Sequence, residues 1–219
     1  MHQSQLFPEA GHIGTDESGK GDYFGPLVVA GFFFQDDQRE VLRELGVKDS
    51  KNLSDGRVRD IAEILKKGYV QSLIVIGPEK YNELYLKMRN LNRILAWGHA
   101  RAIENILSRV PCSKAVTDKF GDEKFVLNAL LKQGKAIELV QRPRAEEDPA
   151  VAAASILARA EFLKRLYFLG REWGLELPKG AAPKVEEAGA NFVRKHGAEA
   201  LDKVAKTHFK ITERILRQV

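Results

Sequence analysis

The run Pro26–Phe34 (PLVVAGFFF) constrains the fold more than any other stretch of the chain. Nine residues without a charge, rich in β-branched and aromatic side chains, read as a strand buried on both faces. Such a strand needs cover on each side. His12–Thr15 is short and extended, and Val70–Ile76 (VQSLIVI), Lys114–Thr117 and Ala136–Gln141 are further strand-like runs. Between them Asp36–Leu45, a segment opening at Ser54 and closed by Gly68, Pro78–Arg89, Asn92–Arg109, Asp122–Lys132 and Pro149–Trp173 read as helices. Little separates the first two strands, which implies an antiparallel start. Five strands interleaved with helices predict an α/β fold, a mixed five-stranded sheet flanked by helices. From Pro178 the chain reads as helical and basic. It has no strand left to reach, so it is expected to form a lobe beside the sheet.

With 219 residues, 44% of them apolar, the chain suits one large domain or one domain with a helical appendage. The net charge of +5 is unevenly spread. Residues 1–158 carry 22 basic and 22 acidic side chains, whereas residues 159–219 carry 13 and 8. A basic segment joined to a neutral one fits a polyanionic partner, although an ordinary solvated helical surface has the same composition. Cys112 is the one cysteine in the sequence, so no disulfide forms within the chain, which suits a reducing compartment. No apolar run is long enough to span a bilayer, and MHQSQLFPEA lacks the basic start and apolar middle of a signal peptide. The expected location is the cytoplasm.

Acids gather at three strand or helix ends. Asp16 and Glu17 lead into Ser18-Gly19-Lys20-Gly21, where the glycines permit a bend and expose backbone N–H groups. A polar turn would use the same residues. Because successive strand side chains point to opposite faces, the two acids converge only if the strand ends or bends there. Asp118 closes the KAVTD strand; a helix-capping role is the plainer reading, but Asp122 is better placed for it. Glu146 and Glu147 precede Asp148-Pro149, which reads as a helix cap with proline at the first helical position. Cap and macrodipole account for Asp148 but leave Glu146 or Glu147 unexplained. Carboxylates converging from separate elements repel unless a cation neutralises them. No Cys–His set with zinc spacing is present, so hard oxygen ligands point to Mg²⁺ or Mn²⁺. A pair of such ions suits phosphodiester cleavage.

Several segments together resemble a known family: DESGKGDYFGP at 16–26, KDSK at 48–51, NRILAWGHA at 92–100, TDKF at 117–120, RAE at 144–146 with VAAASILAR at 151–159, LPKGA at 177–181 and KTHFK at 206–210. In this order they are similar to the ribonuclease HIII branch of the type 2 ribonuclease H family. Lys20, where HII enzymes usually carry arginine, and the lack of any tyrosine after Tyr167 favour HIII over HII. The resemblance implies a ribonuclease H-like fold with a helical C-terminal region. It implies an endoribonuclease that hydrolyses the RNA strand of RNA–DNA hybrids by two-metal-ion catalysis with Mg²⁺ or Mn²⁺, leaving 5′-phosphate and 3′-hydroxyl ends. The family's four acids fall on Asp16, Glu17, Asp118 and Glu146, with Glu147 as the alternative to the last.

The same resemblance implies nucleic-acid contacts at Ser18, Gly19, Lys20 and Gly21, where bare backbone can approach a ribose 2′-hydroxyl. It also implies contacts at Lys48, Ser50, Lys51, Asn92, His99, Lys179, Lys206 and Lys210. His99 is equally well read as packed rather than groove-lining. Fifteen residues precede Asp16, too few for the N-terminal substrate-binding domain usual in HIII enzymes. The expected organisation is one catalytic domain over 1–219, with a core of about 10–173 and a basic helical region of about 174–219. It is expected to act as a monomer without an obligate protein partner or membrane. Three rival readings stand beside this one: an HII-type enzyme incising at single ribonucleotides in duplex DNA, a nuclease of the same fold acting on all-DNA junctions, and a non-catalytic hybrid binder.

Overall fold

The computed structural model describes residues 11–47 and 50–219. The chain runs β1 (Gly11–Ser18), β2 (Leu27–Gln35), α1 (Arg39–Glu44), α2 (Asp55–Gly68), β3 (Gln71–Ile76), α3 (Pro78–Met88), α4 (Leu91–Leu107), β4 (Lys114–Asp118), α5 (Lys124–Ala129), β5 (Glu138–Arg142), α6 (Pro149–Trp173), α7 (Pro183–His196), α8 (Leu201–Val204) and α9 (Ile211–Leu216). The five strands form one sheet in the order β3-β2-β1-β4-β5. β1, β2 and β3 pair antiparallel, as the short first connection implies, while β4 and β5 run parallel to β1. The α/β class and the mixed, helix-flanked sheet are as expected.

Every residue of β2 from Leu27 to Phe34 is buried, because α6 and α4 cover opposite faces of the sheet. Val28, Ala30, Phe32 and Phe34 join the cluster that includes α2 and α6, whereas Phe33 packs with Ile103 and Ile106 of α4. Both helices sit close to the sheet because glycines or alanines stand at the crossings. A Cβ on Gly14 would lie 2.2 Å from the Ala150 carbonyl carbon, and one on Gly98 would lie 2.7 Å from a Val29 methyl. Helix α6 spans the range expected for it. Asp148 accepts from Ala150 N at 2.9 Å, Pro149 opens the first turn, and Gly174 closes the helix in the left-handed region at φ 62°.

β5 begins two residues later than expected, after a 3-10 turn that holds Ala136, and a 3-10 turn at Asp36–Gln38 precedes α1; two further elements also differ. β1 continues to Ser18, still in register with Val28, so no bend interrupts the strand at the acids. α5 is shorter at both ends than Asp122–Lys132. Leu130 turns extended, and the buried Glu104 carboxylate takes the Leu131 and Gly134 N–H groups at 2.7 and 2.9 Å, so the helix cannot propagate.

The C-terminal helices share the main core. Val185, Phe192, Leu201, Val204 and Ile215 belong to the cluster formed by β2 and α6, with Tyr23 and Phe24 at the join. Backbone bonds clamp the segment after Gly21 to this region: Tyr23 N to Gly180 O, Gly25 N to Val204 O and Lys206 N to Tyr23 O, at 2.8–2.9 Å.

Candidate active site

The site lies where β1 and β4 end side by side. Their parallel register pairs Thr15 with Thr117, which sets Asp16 beside Asp118 one residue later. Alternation along the strands sorts the side chains. Gly14 and Asp16 face α6, where Ser155 lies near enough to the Asp16 carboxylate to favour its charged form. Thr15 and Glu17 face α4, where both meet His99. Asp16 and Glu17 therefore straddle the strand instead of converging through a bend. On β4, Val116 packs against Val151 of α6, and Asp118 follows on that same face. The partner across the sheet for Asp16 is thus Asp118, a pairing written into the register.

The electrostatics follow from burial and crowding. Burial first, then the Glu17 and Asp118 charges, push the Asp16 carboxyl up to about 7, with Ser155 pulling the other way. Burial also works to raise Glu17. The hydrogen bond and charge of His99 and the Lys20 ammonium outweigh it and hold Glu17 below the usual glutamate range. Lys20 Nζ lies 3.4 Å from Glu17 Oε1. Asp118 Oδ1 is buried and finds no hydrogen-bond partner among the described residues. An orphaned anionic oxygen beside a crowded carboxylate is what a hard divalent cation satisfies, and both residues offer only oxygen donors. The residues fit such an ion. Among the described residues, however, no three of the Asp, Glu, His and Cys side chains close into a metal-holding group. The pair Asp16–Asp118 is the centre, with Glu17 beside it.

Glu146 lies in the 3-10 turn Ala145–Glu147, whose Ala145 is buried with Val116 and Val151. The turn therefore packs on the face and strand that carry Asp118. Glu146 is half-buried and Glu147 is exposed, which favours Glu146 of the two. Asp148 serves as the helix cap and also meets His12 at 2.7 Å.

The expected nucleic-acid contacts separate into outward and inward groups. Ser18 ends β1, half-buried. Gly19 is buried at φ 89°, where a Cβ would strike the Pro26 carbonyl at 2.2 Å. Gly21 is exposed, and a Cβ there would meet nothing within 4 Å among the described residues. Lys51 is exposed, and Asn92 is half-buried against Gly121. Lys179 is exposed and paired to Asp55 at 2.7 Å; Lys210 is exposed at the start of α9. Lys48 lies outside the described residues.

Three expectations need correction. Ser50 is buried, its hydroxyl 2.7 Å from that of Ser155, so it supports Asp16 at one remove. His99 is fully buried and lines no groove. Lys206 is also fully buried; its Nζ donates to Gly25 O at 2.6 Å and lies 3.5 Å from Phe24 O, so it grips the backbone after the glycine loop instead of a phosphate. Conversely, sequence reasoning missed Ser155, Thr15 and Thr117. Ser155 is a lone hydroxyl in the small apolar run Ala150–Ala158, and each threonine directly precedes an acid, in Thr15-Asp16 and Thr117-Asp118.

Comparison with known proteins places the chain in a family. The family model described as ribonuclease HII matches residues 13–212. Ribonuclease HIII of Protochlamydia amoebophila is 48% identical over 208 residues, covering 95% of this chain and 69% of that protein. The crystal structure of Bst-RNase HIII in complex with Mn²⁺ superposes with a TM-score of 0.88 at 33% identity, covering 97% of this chain and 71% of that one. Ribonuclease H2 from Pyrococcus horikoshii, at 22% identity and a TM-score of 0.79 over 95% of this chain and 98% of that one, shares the fold. The chain therefore belongs to the type 2 ribonuclease H family on its HIII side, and is a metal-dependent ribonuclease.

Proposed function

We propose that the chain hydrolyses the RNA strand of RNA–DNA hybrids, with Asp16, Glu17, Asp118 and Glu146 holding two Mg²⁺ or Mn²⁺ ions, and leaves 5′-phosphate and 3′-hydroxyl ends. The observation that carries this reading is the side-by-side placement of Asp16 and Asp118, with Asp118 Oδ1 lacking a partner among the described residues. A neighbour of the same fold and 33% identity was solved with Mn²⁺. Divalent ions, when bound there, supply an activated water as nucleophile and a counter-charge for the leaving oxygen.

The chain's own residues do the rest. Asp16 and Asp118 present carboxylate oxygens from rigid strand ends. Ser155, itself held by the Ser50 hydroxyl, favours the charged form of Asp16. Glu17 and Glu146 flank the pair. The exposed Gly21 backbone offers N–H and C=O groups where no packing demand explains a glycine, which suits close approach by a ribose 2′-hydroxyl. Lys20, Lys51, Lys179 and Lys210 are the phosphate contacts of this reading. The fold supports one catalytic domain, because the basic helices share its core. No helix among the described residues is long and apolar enough to cross a membrane.

The test is cleavage of three end-labelled duplexes: an RNA–DNA hybrid, DNA carrying one ribonucleotide, and all-DNA. Mg²⁺- or Mn²⁺-dependent cutting of the hybrid is expected, falling at least about 100-fold in Asp118→Asn with hybrid binding retained, as loss of a charge-stabilising group costs. Preferred incision at the single ribonucleotide would move the assignment to the HII type. Cutting of all-DNA would make it a different nuclease, and retained turnover in Asp118→Asn would remove that residue from the chemistry.

A further inference from the structure

We infer that His99 is a positioning residue that ties together the strand ends carrying the acids. The inference rests on reading Asp16, Glu17 and Asp118 as the metal-holding set. The His99 ring is completely buried, so it touches no nucleic acid. Its Nε2 lies 3.2 Å from Glu17 Oε2, and its Nδ1 lies 2.8 Å from Thr15 Oγ1 and 3.3 Å from Thr117 Oγ1. One imidazole from α4 thus contacts Glu17 itself and the residues directly before Asp16 and Asp118, across two strands. Phe120 stacks on the ring at 4.9 Å and 24°, which limits its rotation.

The proton on Nε2 follows from its partner. An ionised carboxylate only accepts, so Nε2 carries the proton that it donates to Glu17. Nδ1 meets two threonine hydroxyls, and a hydroxyl either donates or accepts, so the contact holds for the neutral and the charged ring alike. Each ring nitrogen has a partner suited to it, and the network assigns the ring orientation. The backbone is arranged for this approach. A Cβ on Gly98 would lie 2.7 Å from a Val29 methyl, and Val29 is the residue paired with Glu17 across β1 and β2. A larger residue at 98 would lift α4, and His99 with it, away from the strands.

A group that orients a ligand carboxylate acts on metal affinity more than on substrate affinity, and loss of such partners typically costs about 10–100-fold in binding the metal. The experiment measures Mn²⁺ binding to the full chain without substrate, by the loss of the free-ion EPR signal, and KM for hybrid at saturating Mn²⁺. His99→Leu is expected to weaken Mn²⁺ binding by about 10–100-fold while leaving KM unchanged. His99→Gln, whose amide can reach the Nε2 position, is expected to recover much of the loss. Unchanged Mn²⁺ affinity in a folded His99→Leu variant would overturn the inference, as would a raised KM with Mn²⁺ affinity intact. Should His99→Leu not fold, the double variant Thr15→Val with Thr117→Val decides, since it leaves the ring in place but removes both partners of Nδ1: weaker Mn²⁺ binding supports the role and unchanged binding overturns it. Asp118→Asn, measured alongside, separates the two levels. If it too binds Mn²⁺ as wild type, the metal-site reading has failed; if it alone loses Mn²⁺, only the role of His99 has.

Discussion

At the residue scale, Asp16 carries the most consequential charge. Burial and its acidic neighbours raise its carboxyl to about 7, well above the ordinary 3.8. The folded chain therefore binds a proton there more tightly than the unfolded chain does. The resulting stability is fully present below the unfolded pKa and is lost as pH rises through about 7. Without metal, wild type should lose stability relative to Asp16→Asn between pH 4 and pH 7, and paired thermal melts in EDTA would show it; a constant difference would contradict the assigned environment. The acids themselves were legible as strand-end residues. The sorting of Asp16 and Glu17 onto opposite faces was not foreseen, because Gly19 and Gly21 suggested a bend that begins only after Ser18. The repeated Thr-Asp at both strand ends was a readable sign of a shared partner, and the buried His99 is that partner.

At the scale of elements, α6 is the part on which the site depends most. It carries Ser155 and lies with its first turn against β1 at Gly14. Gly14→Ala would drive a methyl into the backbone of Ala150 and Val151, at 2.2 and 2.3 Å, where no side chain can yield. A loss of about 1–3 kcal/mol or more is expected by denaturant titration, as overpacking against rigid neighbours costs. Stability equal to wild type would show that the helix sits less tightly than described. The helix itself was readable to its ends, since Asp148, Pro149 and Gly174 are strong local signals. The end of α5 was not, because Glu104, a residue from another helix, takes the N–H groups of Leu131 and Gly134.

Lys206 shows the same limit of local reading. A basic residue in a basic segment suggested a phosphate contact, yet its ammonium is buried against the Gly25 carbonyl. Burial lowers its pKa to about 7 from 10.5, so its contribution to stability is present above the unfolded pKa and lost as pH falls through the folded value. Lys206→Met should abolish the rise in stability that wild type shows from pH 7 toward 10. It should also loosen the glycine loop by leaving Gly25 O unpaired, a cost of about 1–3 kcal/mol. Melts across that range check it, and an unchanged pH slope would place the amine in water.

Taken whole, the molecule joins a neutral sheet domain to a basic helical region through one apolar core. The clamp of Gly180 and residues 204–206 on the segment 22–25 fixes the C-terminal helical region beside the glycine loop. The mixed sheet was foreseeable from periodicity and the position of Pro26–Phe34. The union of lobe and core was not, because it is made by Tyr23 and Phe24, which locally read only as the tail of a loop. The most direct test of the account is anomalous diffraction from crystals of the full chain grown with Mn²⁺. A manganese peak within bonding distance of both the Asp16 and Asp118 carboxylates is expected, and it should vanish in Asp118→Asn; a wild-type map with no peak between those two side chains would contradict the account.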